Sequence, residues 1–158
     1  MRPPRGIEEI RRLYGDWRQC VRDDGTVSPI WEARMTLIKF PTPLPLGWDR
    51  SVYATRCRVN VAIADEVECV FRDLEHDGAW AKLTTYDGGY VFRLQRGGSK
   101  LSMHGYGAAL DFDAKWNRLG MEPSMPKEVV RVFRRRGWTW GGQWKRPDGM
   151  HMQFGRGY

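Results

Sequence analysis

The sequence predicts an α+β domain, in which two or three helices pack on a small, mainly antiparallel sheet. Two observations support this fold class. Three segments carry apolar residues at helical spacing, and the C-terminal third contains short apolar–polar alternations separated by glycines. The chain has 158 residues, of which 41% are hydrophobic, and this is enough for one domain with a buried core.

The predicted helices cover residues 6–14, 60–75 and 126–136. The first is short and amphipathic. The apolar face of the second is formed by Ile63, Val67, Val70, Phe71 and Leu74. The third begins at Pro126, which suits a first helical turn, and stops before Gly137. We expect His76 in the C-terminal cap region of the second helix.

Short strands joined by glycine turns are predicted at 101–104, 109–113, 138–144 and 150–154. Two other segments are predicted to connect regular elements. Residues 23–29 form a turn-rich link, and the proline-rich residues 41–48 form an extended loop.

The net charge of +7 and the sequence pI of about 9.6 predict a surface that attracts polyanions. Charge alone does not distinguish nucleic acid, anionic lipid and the bacterial envelope. No apolar run is long enough to span a membrane, and the N-terminal residues lack the apolar centre of a secretory signal peptide. Cys20, Cys57 and Cys69 are widely spaced, which argues against a zinc ribbon or a disulfide framework and favours reduced thiols.

The segment SMHGYGAALDFD, residues 102–113, places His104 and Asp111 at the two ends of a glycine-rich corner. Glycine permits positive φ and close backbone approach, so such a corner can bring the two side chains together. With an imidazole from a distant strand, they would form the three-ligand set of a catalytic zinc site. The spacing by itself also permits a capping or core histidine and a surface carboxylate, because H-x6-D is a weak motif.

The same segment resembles the S-x-H-x-x-G-x-A-x-D signature of the M15 zinc peptidases. Fixed positions of this signature are occupied by Ser102, His104, Gly107 and Asp111. Residues 88–97, GGYVFRLQRG, are similar to the family segment that carries an arginine near the scissile carbonyl. Residues 137–154, GWTWGGQWKRPDGMHMQF, are similar to the closing block of the phage endolysin branch. The resemblance covers roughly residues 40–158.

The resemblance implies a role for each matching residue. The positions of the zinc ligands are taken by His104, Asp111 and His151. Asp148 takes the position of the general base. Arg93 corresponds best to the arginine that stabilises the oxyanion, and Arg96 is the alternative. Met152 and Gln153 depart from the family pattern, which commonly has an aromatic and an acidic residue there.

Further residues are predicted to act near the ligands. The substrate groove is expected to be lined by Ser102, Tyr106 and Trp140. Trp140 alternates with Trp138 and Trp144, and we expect two of these three tryptophans in the core. Asp113 is either a partner that orients a ligand imidazole or a surface carboxylate. The glycine pair at 141–142 is expected to let the substrate backbone approach.

The resemblance implies a zinc-dependent peptidoglycan hydrolase that cleaves the stem peptide by zinc-activated water. Within the family, the closing block favours an L-alanyl-D-glutamate endopeptidase, a phage or prophage endolysin. A D-Ala-D-Ala carboxypeptidase and a non-catalytic peptidoglycan-binding module are the alternatives. A basic nucleic-acid-binding protein would account for the charge but gives the ligand motif no role, so nucleic acid is not an expected partner.

The predicted organisation is a single zinc peptidase domain over residues 1–158. Residues 1–35 are expected to form an N-terminal helix and linker, and residues 40–158 the catalytic core. We expect a monomer that is made in the cytoplasm without a signal peptide. Its expected site of action is the cell wall in the periplasm, reached by a holin-dependent route, with the anionic cell envelope as a partner.

Overall fold

The computed structural model describes residues 1–22, 24–95 and 97–158 and has the α+β architecture that the sequence predicts. The helices are α1 (Gly6–Tyr14), α2 (Pro29–Glu32), α3 (Ala64–His76) and α4 (Lys127–Arg135). The strands are β1 (Met35–Pro45), β2 (Tyr53–Asn60), β3 (Tyr86–Gly88), β4 (Ala109–Phe112), β5 (Thr139–Trp140) and β6 (His151–Gln153). Asp23 of the predicted link and Arg96, the alternative oxyanion arginine, lie outside the described residues.

The strands form two antiparallel sheets. β1 and β2 make a two-stranded sheet, and a four-stranded sheet has the order β3-β4-β6-β5. In the second sheet Asp111 pairs with His151, and Ala109 pairs with Gln153. This register places two of the predicted zinc ligands directly opposite each other.

The three predicted helices are confirmed as α1, α3 and α4, and α3 is preceded by a 3₁₀ turn at Val61–Ile63. α1 buries Ile10 and Tyr14, and the Tyr14 hydroxyl donates to the Phe154 carbonyl at 2.6 Å. The N-terminal helix is therefore packed against the segment that follows β6. The three cysteines are free thiols. In the described ranges, no helix combines the length and the apolar character needed to cross a membrane.

The proline-rich segment 41–48 is not the loop that its composition predicts, because β1 extends through Pro45. The pairing of β1 with β2 shifts register between Lys39 and Leu44, a stretch that contains two prolines. Proline cannot donate a hydrogen bond to a strand ladder, and it is tolerated at such irregularities. The prolines therefore produce an interruption within a strand pair.

The predicted strand at 101–104 is wrong. Leu101 makes one isolated bridge, to Leu94, and turns occupy residues 103–107. The N–H of Gly107 donates to the His104 carbonyl at 2.9 Å, so the chain reverses before β4 begins. The glycine-rich corner therefore begins at residue 103, inside the segment that was predicted as a strand.

Candidate metal centre and active site

Three neighbouring parts of the fold bring together His104, Asp111 and His151. Asp111 lies on β4 opposite His151 on β6, so the two side chains leave the same face of the sheet. His104 lies in the turn at 103–107, directly before β4. This turn requires Gly107, because its φ is 68° and a Cβ there would lie 2.6 Å from the sulfur of Met35.

The ligand atoms of these side chains are close to one another. His104 Nε2 is 3.1 Å from His151 Nδ1 and 3.2 Å from Asp111 Oδ2, and His151 Nδ1 is 3.0 Å from Asp111 Oδ1. In a tetrahedral zinc site with bonds of about 2.0–2.1 Å, ligand atoms are separated by about 3.3 Å. The side chains are only 6%, 13% and 8% exposed for His104, Asp111 and His151. Their spacing and burial suit a three-ligand metal site.

Hydrogen bonds outside the cluster determine which nitrogen of each imidazole carries a proton. His104 Nδ1 is 2.7 Å from the Gly89 carbonyl oxygen, which only accepts, so this nitrogen is a donor. His151 Nε2 is 3.0 Å from Gln153 Oε1. The Gln153 amide nitrogen donates to the Gly155 carbonyl at 3.1 Å, which fixes the amide orientation and makes His151 Nε2 a donor as well. The remaining nitrogens, His104 Nε2 and His151 Nδ1, direct their lone pairs into the cluster.

The donor set of the cluster favours a bound cation. Two nitrogen lone pairs 3.1 Å apart repel each other unless a proton or a metal ion lies between them. Burial raises the pKa of Asp111, but the charges and hydrogen bonds of His104 and His151 outweigh it and hold this pKa below its ordinary range. Burial lowers the pKa of His151, whereas its hydrogen bond to Asp111 helps to raise it overall. Two imidazoles and a carboxylate are the ligands that catalytic zinc sites use.

The cluster opens into a cavity of about 320 Å³ that is also lined by Asp148 and Arg93. Asp148 lies in the loop that leads into β6. Its N–H donates to the Gly141 carbonyl at 2.9 Å, and its carbonyl accepts from the His151 N–H at 3.1 Å. Its carboxylate interacts electrostatically with the His151 ring. The residues predicted as general base and oxyanion partner therefore face the same cavity as the predicted ligands.

Ser102 and Trp144 form other parts of the cavity wall. The Ser102 hydroxyl accepts from the Gly105 N–H at 3.0 Å, so it supports the turn before β4 while it lines the cavity. The Trp144 ring lies 5.4 Å from the His151 ring, measured between centroids, and Trp144 is 39% exposed. Trp144 therefore lines this cavity, whereas Trp140, the tryptophan predicted for the substrate groove, does not.

Trp140 lines a separate groove beside α4, and its Nε1 donates to the Gly149 carbonyl at 2.8 Å. The predicted strand 138–144 ends at Trp140, because a 3₁₀ turn at Gly141–Gln143 follows. A Cβ on Gly142 would lie 2.2 Å from the Trp140 ring. This glycine makes room for the ring of a neighbouring residue, whereas the sequence predicted room for a substrate backbone. Trp138 is buried in the core.

Asp113 does not orient a ligand imidazole. Its Oδ1 accepts from the Thr84 N–H at 2.8 Å, the Thr84 hydroxyl at 2.6 Å and the Thr85 N–H at 2.8 Å. β4 ends at Phe112, and Asp113 adopts a φ of 54°. The strand alternation that placed Asp113 beside Asp111 stops there, so the carboxylate turns to the loop at 84–85.

Tyr106 does not line the cavity beside the His104–Asp111–His151 cluster. It is fully buried, and its ring centroid lies 5.9 Å from those of Tyr14, Trp31 and Tyr158. The turn that directs His104 into the cavity directs Tyr106 into the core. Its hydroxyl therefore belongs to the packed interior.

The sequence reasoning missed two groups that hold the imidazoles, the Gly89 carbonyl and the Gln153 side chain. The contact of Gln153 with His151 was predictable, because strand alternation places both residues on the same face. The contact of the Gly89 carbonyl with His104 was not predictable from the sequence, because it joins residues fifteen positions apart through a turn that composition does not predict.

A protein-family model described as D-alanyl-D-alanine carboxypeptidase matches residues 96–154. The matched segment contains all three candidate ligands and Asp148, and it begins after Arg93. Comparisons with curated proteins and with solved structures give no match. The match agrees with the resemblance of the motifs to the M15 zinc peptidases, and it covers less than half of the chain.

Proposed function

We propose that this protein is a zinc-dependent peptidoglycan hydrolase that cleaves the stem peptide. One observation carries the proposal: His104, Asp111 and His151 converge with lone-pair atoms 3.0–3.2 Å apart, inside a segment that matches a peptidase family. The matched family supports peptidase chemistry on peptidoglycan. The donor set supports zinc as the ion that makes this chemistry possible.

In this proposal a zinc ion would be held by His104 Nε2, an Asp111 carboxylate oxygen and His151 Nδ1. When bound, zinc supplies a Lewis acid that polarises the scissile carbonyl and lowers the pKa of water. The Asp148 carboxylate accepts a proton from the attacking water and returns it to the leaving amine. Arg93, on the cavity wall, stabilises the negative charge on the carbonyl oxygen, a task that suits a guanidinium.

The hydrogen bonds around the cluster support these roles. Gly89 and Gln153 hold the imidazoles in the tautomers that direct lone pairs inward, so no rotation is needed before metal binding. The Trp144 ring packs against the His151 ring, and His151 is buried. Low-dielectric surroundings would strengthen the electrostatic interactions of Asp148 and Arg93 with a bound substrate.

We propose the L-alanyl-D-glutamate bond as the substrate bond, with a phage or prophage endolysin as the type of enzyme. The support is the similarity of residues 137–154 to the closing block of the endolysin branch. A D-Ala-D-Ala carboxypeptidase is the second candidate, because this is the description of the family model that matches. In either case we propose a monomer that acts on the cell wall.

Mass spectrometry of muropeptides after digestion of purified sacculi tests the proposal directly. The endopeptidase should release peptides that begin with D-glutamate and leave L-alanine on the muramyl residue. A carboxypeptidase should instead release D-alanine from pentapeptides. The matched control is Asp148→Asn, which should bind sacculi without cutting them. Wild-type protein that carries zinc and binds sacculi but releases neither product would be a binding module, and the hydrolase proposal would be wrong.

A further inference from the structure

A second concave surface lies beside α4, and it shares no lining residue with the cavity of the metal centre. This groove has a volume of about 580 Å³. Its apolar part is formed by Met125, Val130 and Trp140, and its cationic rim by Lys127, Arg131, Arg134 and Arg135. The first two apolar residues are buried, whereas all four cations are exposed. The groove therefore combines a largely buried apolar floor, of which Trp140 is partly exposed, with an exposed cationic rim.

The cations on the rim follow one face of α4. Lys127, Arg131 and Arg134 are spaced by four and three residues, while the opposite face buries Val129 and Phe133 in the core. Like charges at this spacing destabilise a helix, and Lys127 stands at the helix N-terminus, where the dipole disfavours a cation. Arg134 lies in the last turn, where the dipole favours a cation, so helix stability explains this residue but not Lys127 or Arg131.

The acidic residues near α4 pair with Lys82, with Arg136 and with Arg135, one of the four rim cations. Glu128 pairs with Lys82 at 2.7 Å, and Asp73 pairs with Arg135 at 3.2 Å. Within the part of the chain that the structure describes, no carboxylate lies within 4.0 Å of the charged atoms of Lys127, Arg131 or Arg134. Three positive charges on the groove rim are thus left for a partner.

Exposed apolar side chains lie in the loop that leads into α4. Trp116 is 42% exposed and Met121 45% exposed, and the Lys115 ammonium lies 5.0 Å from the Trp116 ring centroid. The Ser124 hydroxyl donates to the Trp116 carbonyl at 3.3 Å, which holds this part of the loop beside the start of α4. Trp116 beside Lys115, with Met121 exposed in the same loop, gives this loop a composition that suits the boundary between lipid headgroups and acyl chains.

We propose that the groove beside α4 and its rim bind the phosphate headgroups of an anionic lipid surface. The stripe of cations on α4 contacts the phosphates, and the exposed Trp116 and Met121 of the adjoining loop contact the acyl region. Nucleic acid would use the same positive charge but would leave these two side chains without an apolar counterpart. The inference stands independently of the proposed hydrolysis, because lipid binding is measured without a peptidoglycan substrate.

The test is co-sedimentation of the whole protein with vesicles of phosphatidylcholine and phosphatidylglycerol, against vesicles of phosphatidylcholine alone. Wild type should bind the anionic vesicles selectively. The double variant Arg131→Gln/Arg134→Gln should lose about 30-fold in partition coefficient, from about fivefold for each charge near the surface. The matched control is Arg50→Gln/Arg56→Gln, which removes the same charge from exposed positions on and beside β2 and should bind nearly as wild type does.

Several outcomes would overturn the inference. Equal losses in the two double variants would mean that the whole surface attracts lipid and that the groove has no special part. Unchanged vesicle binding of Arg131→Gln/Arg134→Gln, together with lost binding to a duplex DNA oligonucleotide, would assign the groove to nucleic acid. Thermal unfolding of each variant checks that it is folded, and we expect no destabilisation because both substitutions lie on the exposed face of α4.

Discussion

The hydrogen bonds of two imidazoles determine what the metal centre can bind. The Gly89 carbonyl and the Gln153 side-chain oxygen each accept a hydrogen bond from one ring N–H, and the other nitrogen of each ring then carries the lone pair. Asp111 lies against both donors and supplies negative charge in a buried place. Substitution of Asp111 should therefore affect metal binding, whereas substitution of Asp148, the proposed base, should affect only proton transfer.

Asp148→Asn and Asp111→Asn should differ in zinc content. Asp148→Asn keeps its shape but cannot accept a proton, so the variant should retain about one zinc per chain and lose about 10²–10⁴-fold in turnover. Asp111→Asn weakens the metal site, so zinc content, thermal stability and turnover should all fall. Elemental analysis beside a turnover assay on the same preparations makes the comparison.

The controls for this comparison are His104→Ala and His151→Ala, which should lose both zinc and turnover. Loss of zinc from Asp148→Asn would make Asp148 a ligand. Near-full turnover of that variant would move the general base to another residue. Zinc-free wild type with full turnover would contradict the zinc proposal as a whole.

Gln153→Leu should weaken zinc binding without removing a ligand. The substitution takes away the acceptor for His151 Nε2–H, so the ring is no longer held with Nδ1 toward Asp111. Loss of such a supporting hydrogen bond typically lowers metal affinity by about 10–100-fold. Chelator competition measures this affinity, and Gln153→Glu should restore it because a carboxylate also accepts. Gln19→Leu, at an exposed position, is the control, and an affinity of Gln153→Leu equal to that of this control would show that His151 needs no support.

At the scale of elements, the loop between β5 and β6 connects the two concave surfaces. Trp140 lines the groove beside α4, while Asp148 and Trp144 line the cavity of the metal centre. The loop is held by the Trp140 Nε1–H bond to the Gly149 carbonyl and by the Asp148 N–H bond to the Gly141 carbonyl. The position of the proposed base therefore depends on how Trp140 packs.

Gly142→Ala should disturb this loop. The new Cβ would lie 2.2 Å from the Trp140 ring, so the ring or the turn must move. Overpacking of this kind typically costs about 1–3 kcal/mol of unfolding free energy, and turnover should fall because Asp148 moves with the turn. Thermal unfolding and turnover provide the two measurements. The control is Gly98→Ala, where the nearest atoms lie 3.7 Å away; equal effects of the two substitutions would show that Trp140 packing does not matter.

At the scale of the whole molecule, the net charge of +7 should matter for finding an insoluble polyanionic substrate. Exposed charges are screened over about 8 Å at physiological salt, so cleavage of intact sacculi should slow as salt is raised. Cleavage of a small soluble muropeptide should change much less, because its encounter does not depend on a charged surface. Initial rates on both substrates across a salt series test this. Equal losses of initial rate on both substrates would show that salt acts on the metal centre. An initial rate on sacculi that does not change with salt would show that the net charge does not help the protein to find its substrate.

Local patterns in the sequence predicted much of the fold, and motif resemblance predicted the candidate metal ligands. Helical spacing predicted α1, α3 and α4, because the apolar face of a helix repeats within a few residues. The glycines at 105 and 107 predicted a corner, and the structure has one between His104 and Asp111. The convergence of these two side chains with His151 followed from motif resemblance and is present in the structure.

Tertiary packing decided the features that depend on residues far apart in the chain. β2 pairs with the proline-rich part of β1, Tyr106 enters the core, and Asp113 turns to Thr84. The tautomer of His104 depends on a carbonyl fifteen residues away, and the cluster itself joins residues separated by 47 positions. Sequence periodicity predicts the face on which a side chain lies only within a continuous helix or strand. Beyond the end of that element, the contacts of a side chain depend on tertiary packing with residues distant in the sequence.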